Sequence, residues 1–131
     1  MVIVNQLAHT NPSKIKEGIQ FAREALKYFS EKDYKKASEL YLLALNVDPY
    51  EFSYYENAAA SFYQIKQYGN SMLYSSKVIN GLNPGTGKSE YIHGISKIST
   101  GDLNGGCEFI SYAVDLKYKE AFSIQKQYCK D

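Results

Sequence analysis

An all-α array of stacked helical hairpins is the fold class that this sequence predicts, and three observations predict it. Aromatic and small residues recur 34 positions apart, pairing Phe21 with Tyr55, Ala25 with Ala59, Tyr28 with Phe62, Tyr34 with Tyr68 and Ala44 with Val78. A third copy follows with one extra residue in its linker, which sets Gly94 opposite Ala59, Leu103 opposite Tyr68 and Ala113 opposite Val78. Within the copies, apolar residues step by three and four positions, the period of a helix with one buried face. A single hairpin cannot cover that face, so each copy must bury it against the next.

The elements follow in order. Asn11 and Pro12 announce the first helix, a capping side chain followed by a ring whose fixed φ suits the first turn, and the expected span is 12–30. Ile15, Ile19, Ala22, Leu26 and Phe29 give it an apolar stripe. Asp33 opens the second helix, which runs to Asp48, and Pro49 ends one repeat and opens the next. The second repeat has helices expected near 49–65 and 68–80, with Ala58, Ala59 and Ala60 small enough for neighbouring backbones to approach closely. The segment GLNPGTGKS, with three Gly and a Pro, breaks the helical pattern and forms the loop before helix five. In the third repeat, helices are expected at 88–99 and 103–116, although Glu90 and Lys97 stand where the earlier copies have aromatics. The last stretch, KYKEAFSIQKQYCK, reads as a seventh, capping helix. The chain is therefore one domain: an extension at 1–11, repeats at 12–49, 50–86 and 87–117, and a cap at 118–131.

Composition narrows the function. Fifteen Lys and Arg against 14 Asp and Glu leave a net charge of +1, which provides no broad attraction to nucleic acid or to a membrane surface. The apolar start MVIVNQLA is interrupted too soon by Asn5 and Gln6 to be a secretory core, and no later run approaches a membrane span. The expected location is cytoplasmic, or periplasmic if an export signal once preceded this sequence. Thirteen Tyr and six Phe fall largely at repeat positions and read as core. Tyr50, Tyr54, Tyr74, Tyr112 and Tyr118 lie off those positions, so some of the five are candidates to face a partner.

Phe21, Ala25, Tyr28, Tyr34, Ala37, Tyr41, Ala44 and Pro49 of repeat one, with Tyr55, Ala58, Ala59, Phe62 and Tyr68 of repeat two, resemble the tetratricopeptide repeat family over Gly18 to Leu116. Ser71 and Ser75 depart from it, standing where Ala and an aromatic are usual. The run GDLNGGCEFISYAVDLKYKEA also resembles the terminal repeats of bacterial tetratricopeptide and Sel1-like proteins, which implies a bacterial origin.

The resemblance implies a right-handed α-solenoid of three repeats plus a cap, whose first helices line a concave groove holding a peptide or helical segment of another protein. The family's inward positions map onto Ile19, Arg23, Leu26 and Phe29, then Ser53, Glu56, Asn57, Ala60 and Tyr63, then Lys88, Tyr91, Ile92 and Ile95. Of these, Arg23, Asn57, Tyr63, Lys88 and Tyr91 are the expected partner-binding residues, the two tyrosines as anchors and the others as orienting donors. One specialised version of the family clamps acidic C termini with two Lys, two Asn and an Arg. Asn57 and Lys88 match that pattern, but Ala22, Leu26 and Ile92 occupy its other three places, so the groove suits an apolar or amphipathic segment better. Two alternatives remain beside a general adaptor: a chaperone that shields an apolar segment of one client, and a homo-oligomer whose copies cover each other's apolar edges.

Chemistry has little support. NPGTGKS resembles the phosphate loop of ATPases, but Leu82 stands where that motif requires its first Gly, and no buried strand precedes it. A Gly-rich linker before a helix can still offer N–H groups to a phosphate or sulfate. Cys107 and Cys129 each lie eleven residues from Tyr118, the expected turn of the last hairpin, so an antiparallel pair brings both thiols to one height and a disulfide can form. A reducing cytosol favours two half-buried thiols instead. His9 and His93 have no nucleophile or carboxylate at a convincing spacing, and Glu17, Glu24, Glu31, Glu39 and Glu51 read as solvated helix faces. No enzyme activity, cofactor or metal is expected.

Overall fold

A computed structural model describes residues 11–82 and 84–129. The start of the chain through Thr10, His9 included, lies outside them, as does Asn83 of the glycine-rich loop. Seven α-helices follow one another in the described residues. They are α1 (Pro12–Ser30), α2 (Tyr34–Val47), α3 (Phe52–Gln64), α4 (Tyr68–Lys77), α5 (Lys88–Ser99), α6 (Leu103–Asp115) and α7 (Lys119–Tyr128). α4 widens into a π-helical turn over Val78–Leu82 before the loop. No strand occurs among the described residues.

Helix starts are set by side chains that satisfy the first backbone donors. Asn11 Oδ1 accepts from the Lys14 N–H at 2.9 Å, Asp33 Oδ1 from Lys36 at 3.2 Å, and Asp102 Oδ1 from Gly105 at 2.9 Å. α3 begins later than the expected Pro49. Pro49 and Tyr50 form a turn, and Glu51 becomes the cap, its Oε2 accepting from the Ser53 N–H at 3.3 Å. Glu51 is thus a half-buried structural residue rather than part of a solvated face.

The repeat is also written in the backbone. Four turns close with the same hydrogen bond at 2.9 Å, from the N–H of Asp33 to Tyr28, Gln67 to Phe62, Asp102 to Lys97 and Tyr118 to Ala113. The residue just before each donor has positive φ: Lys32 at 65°, Lys66 at 62°, Gly101 at 98° and Lys117 at 65°. This is the left-handed closure that ends many helices. The first three follow the 34-residue period, stretched by one in the third copy.

The small residues of the period sit where helices meet. Ala25, Ala59 and Gly94 are buried, as are Ala44, Val78 and Ala113. At the α5/α6 crossing, a Cβ on Gly94 would lie 2.9 Å from the Gly106 carbonyl oxygen, and one on Gly106 would lie 2.7 Å from that of Gly94, so both must be glycine for these backbones to touch. Around the first repeat the core gathers Ala25, Ala37, Leu40, Tyr41, Ala58 and Phe62. Around the last it gathers Ile95, Ile110, Ala113 and Ala121. The two family departures are absorbed by hydrogen bonds: Ser71 Oγ donates to the Ala59 carbonyl at 2.8 Å, and Ser75 Oγ lies 2.8 Å from His93 Nδ1. Tyr54, expected off the buried positions, is only 5% exposed and packs with Ala44 and Leu45 in the core.

Candidate functional site

Two adjoining hollows open on the face shared by α1, α3 and α5, the first helices of the three pairs. The first, about 330 Å³, is lined by Ile19, Ala22, Arg23 and Leu26 of α1, Ser53, Tyr54 and Asn57 of α3, and Tyr41 and Glu51. The second, about 230 Å³, lies farther along the same helices between Phe29, Tyr63, Lys88, Tyr91, Ile92 and Tyr118. A third, about 110 Å³, continues from Tyr63 and Ile95 to Ile124 and Tyr128. The α1 stripe contributes exposed apolar side chains to this face: Ile15 and Ile19 are exposed, and Leu26 is 57% exposed.

The five expected binding residues all line these hollows. Arg23 and Asn57 are in the first, and Tyr63, Lys88 and Tyr91 are in the second. Lys88 Nζ donates to Asn57 Oδ1 at 2.7 Å, which places a cation and an amide at the junction of the two hollows. Tyr91 packs against Tyr118, ring centroids 5.2 Å apart. Burial and a hydrogen bond to Glu120 push the Tyr118 phenol well above its ordinary range, and burial raises Tyr91 in the same direction. Both rings therefore act as neutral, amphipathic walls at any ordinary pH.

Glu56 does not face the groove. Only 4% exposed, it accepts hydrogen bonds on Oε2 from Thr86 Oγ1 at 3.0 Å and Ser89 Oγ at 2.9 Å. Its charge faces the first turn of α5, whose cap position is Gly87 with no side chain to offer. This arrangement also disposes of the phosphate-loop resemblance. The serine hydroxyl that such a loop would turn toward a metal is bound to a buried carboxylate, and that carboxylate repels an anion. Ile92 and Ile95, mapped to the groove from the repeat pattern, are almost wholly buried and form its floor. Tyr41 was not assigned to the groove from sequence and reaches it from α2, whereas Tyr54, named only as lying off the repeat's buried positions, lines it from α3.

Cys107 and Cys129 form a disulfide, Cα atoms 5.5 Å apart, in place of the two thiols that a reducing cytosol favours. His93 is buried against Phe109, ring centroids 4.4 Å apart, and it has a serine partner that its sequence spacing did not reveal, Ser75 Oγ at 2.8 Å, because the fold brings together residues 18 positions apart. Among the described residues no group of three or more His, Cys, Asp or Glu could hold a metal, and no helix is long and apolar enough to cross a membrane.

This architecture of paired helices with a groove along the first of each pair is a helical-repeat solenoid, the tetratricopeptide repeat fold. Solved structures with that fold match nearly the whole chain. The first tetratricopeptide repeat domain of Spaghetti (RPAP3), bound to the HSP90 peptide SRMEEVD, superposes with a TM-score of 0.83 at 17% identity, over 92% of this chain and 94% of that one. The second such domain of human RPAP3, in complex with the HSP70 peptide SGPTIEEVD, gives 0.82 at 19% identity over 90% and 99%. The OM64 domain from Arabidopsis gives 0.83 at 17% identity over 88% and 96%. No protein-family model matches the sequence.

Proposed function

We propose that this protein is a protein-interaction adaptor that holds an apolar or amphipathic segment of a partner, as a helix or an extended peptide, along the α1, α3 and α5 face. The observation that carries the reading is that two hollows walled largely by apolar and aromatic side chains open along the same helices and are linked by the Lys88–Asn57 hydrogen bond. A segment laid across both therefore meets apolar contacts and a few polar groups, Arg23, Asn57 and Lys88, that fix its direction. Two of the structural neighbours are bound to acidic peptides, as their names state. Here the place of an acidic tail is taken by a more apolar ligand, because Ala22, Leu26 and Ile92 provide no charge to pair with it.

Tyr63 and Tyr91 serve as anchors, and Arg23, Asn57 and Lys88 orient the ligand. The test is a double variant, Arg23→Glu with Tyr63→Ala, in a pull-down of the partner. Loss of binding with unchanged helical circular dichroism supports the groove. Binding that survives both changes would place the partner elsewhere.

A further inference from the structure

The Cys107–Cys129 bond stands where the array is held most thinly. α7 is ten residues long and has Ala121 as its one fully buried residue. Phe122 and Tyr128 are 49% and 45% exposed, and the first turn of the helix has no side-chain cap. A helix this short is marginal on its own. Its C-cap residue Cys129 is tied across 22 positions to Cys107 on the second turn of α6. Both cysteines are half-exposed, so a thiol in solution can reach the bond.

The same helix walls the far end of the groove. Ile124 and Tyr128 close the third hollow against Tyr63, Ile95, Ile98 and Ser99. Tyr118 is the pivot, tied to the array by its N–H bond to the Ala113 carbonyl and its contact with Tyr91, and to α7 through its carbonyl, which accepts from the Ala121 N–H. The wall therefore divides into a fixed part ending at Tyr118 and a part that depends on where α7 lies.

We propose that the Cys107–Cys129 disulfide is a redox latch: oxidised, it holds α7 against the end of the groove; reduced, it lets α7 swing away about Tyr118 and expose Ile95, Ile98 and Tyr63. The step is thiol–disulfide exchange with a small thiol or dithiol reductant. A reductant thiolate attacks one cysteine sulfur, the S–S bond breaks, and the other cysteine leaves as a thiolate that takes up a proton. A second reductant thiol resolves the mixed disulfide, so the protein gains two electrons and two protons and the reductant departs as its own disulfide. The release of α7 does not require the groove to bind anything. Only its consequence for a partner rests on the proposed function.

Hydrogen exchange read by mass spectrometry tests this on the full chain, untreated, treated with tris(2-carboxyethyl)phosphine, and as the Cys107→Ser, Cys129→Ser double variant. The untreated protein should show no titratable thiol. In the other two samples the amides of α7 should exchange about ten-fold faster or more, with α1 to α5 unchanged, the pattern of a local rather than a global opening. Unchanged exchange in α7, loss of protection throughout the chain, or two thiols in the untreated protein would each overturn the latch. Because no ligand is used, failure here is separate from failure of the groove.

Discussion

His93 Nδ1 lies 2.8 Å from Ser75 Oγ in a site only 9% exposed. Burial lowers the pKa of this imidazole below its ordinary 6.5, the charge on Lys97 adds to the effect, and a hydrogen bond to the Met72 backbone opposes it. As pH falls the unfolded chain therefore takes up the proton first. The stability that neutral His93 contributes is complete above its unfolded-state pKa and is lost as pH drops below it. Urea midpoints should fall between about pH 7.5 and about pH 5, and His93→Asn should show a smaller fall over the same range. Equal slopes would mean that the histidine is solvated. Glu56 gives a second prediction. Glu56→Ala strands the hydroxyl of the fully buried Ser89 and should cost about 1–3 kcal/mol in urea unfolding, whereas Glu56→Gln, which keeps an acceptor, should cost less. Neither role was legible along the chain. Repeat register places Glu56 in the groove, and the partners of both residues lie 18 to 33 positions away. The available signals were indirect: Ser75 in the place of Tyr41, and a helix opening on Gly87 with nothing to cap it.

Helices were easier to read than residues because their ends carry local chemistry. Asn11–Pro12 and Asp33 each set a capping residue beside the first helical turn, and α1 and α5 start and stop where the sequence places them. Pro49 misled because proline suits both a helix start and a turn. The Tyr50 N–H bonds to Asp48 Oδ1 at 3.4 Å, and the helix waits for Glu51. The π-helical turn after α4 has no sequence mark, although the extra residue of the third copy falls in the same stretch. Where elements cross, size governs. A methyl group at Gly106 would sit 2.5 Å from Ile98 Cγ1 and 2.7 Å from the Gly94 carbonyl oxygen. Gly106→Ala should therefore destabilise by about 1–3 kcal/mol, with the loss visible as a lower melting temperature. An unchanged melting temperature would mean that α5 and α6 can part without cost. Ala59→Leu, at the equivalent crossing of α3, should behave alike.

At the scale of the whole molecule, the period was enough to set the stacking order, since residues one repeat apart had to occupy equivalent places in successive hairpins. The direction in which the open face looks came from the family resemblance, which implies that the first helix of each pair lines the groove. Part of its lining did not, because Tyr41 reaches it from α2, Tyr54 from a position of α3 outside the mapped set, and Tyr118 from the turn before α7. The proposed function rests on shape and surface chemistry, so the decisive measurement locates a ligand. Amide and methyl chemical shifts of labelled protein, titrated with an apolar or amphipathic peptide selected for binding, should move at Arg23, Asn57, Tyr63, Lys88 and Tyr91. They should stay still around Tyr50, Lys77 and Gly81 on the opposite side of the second repeat. Shifts clustered on that opposite side, with the α1, α3 and α5 hollows silent, would contradict the groove as the place where this protein binds.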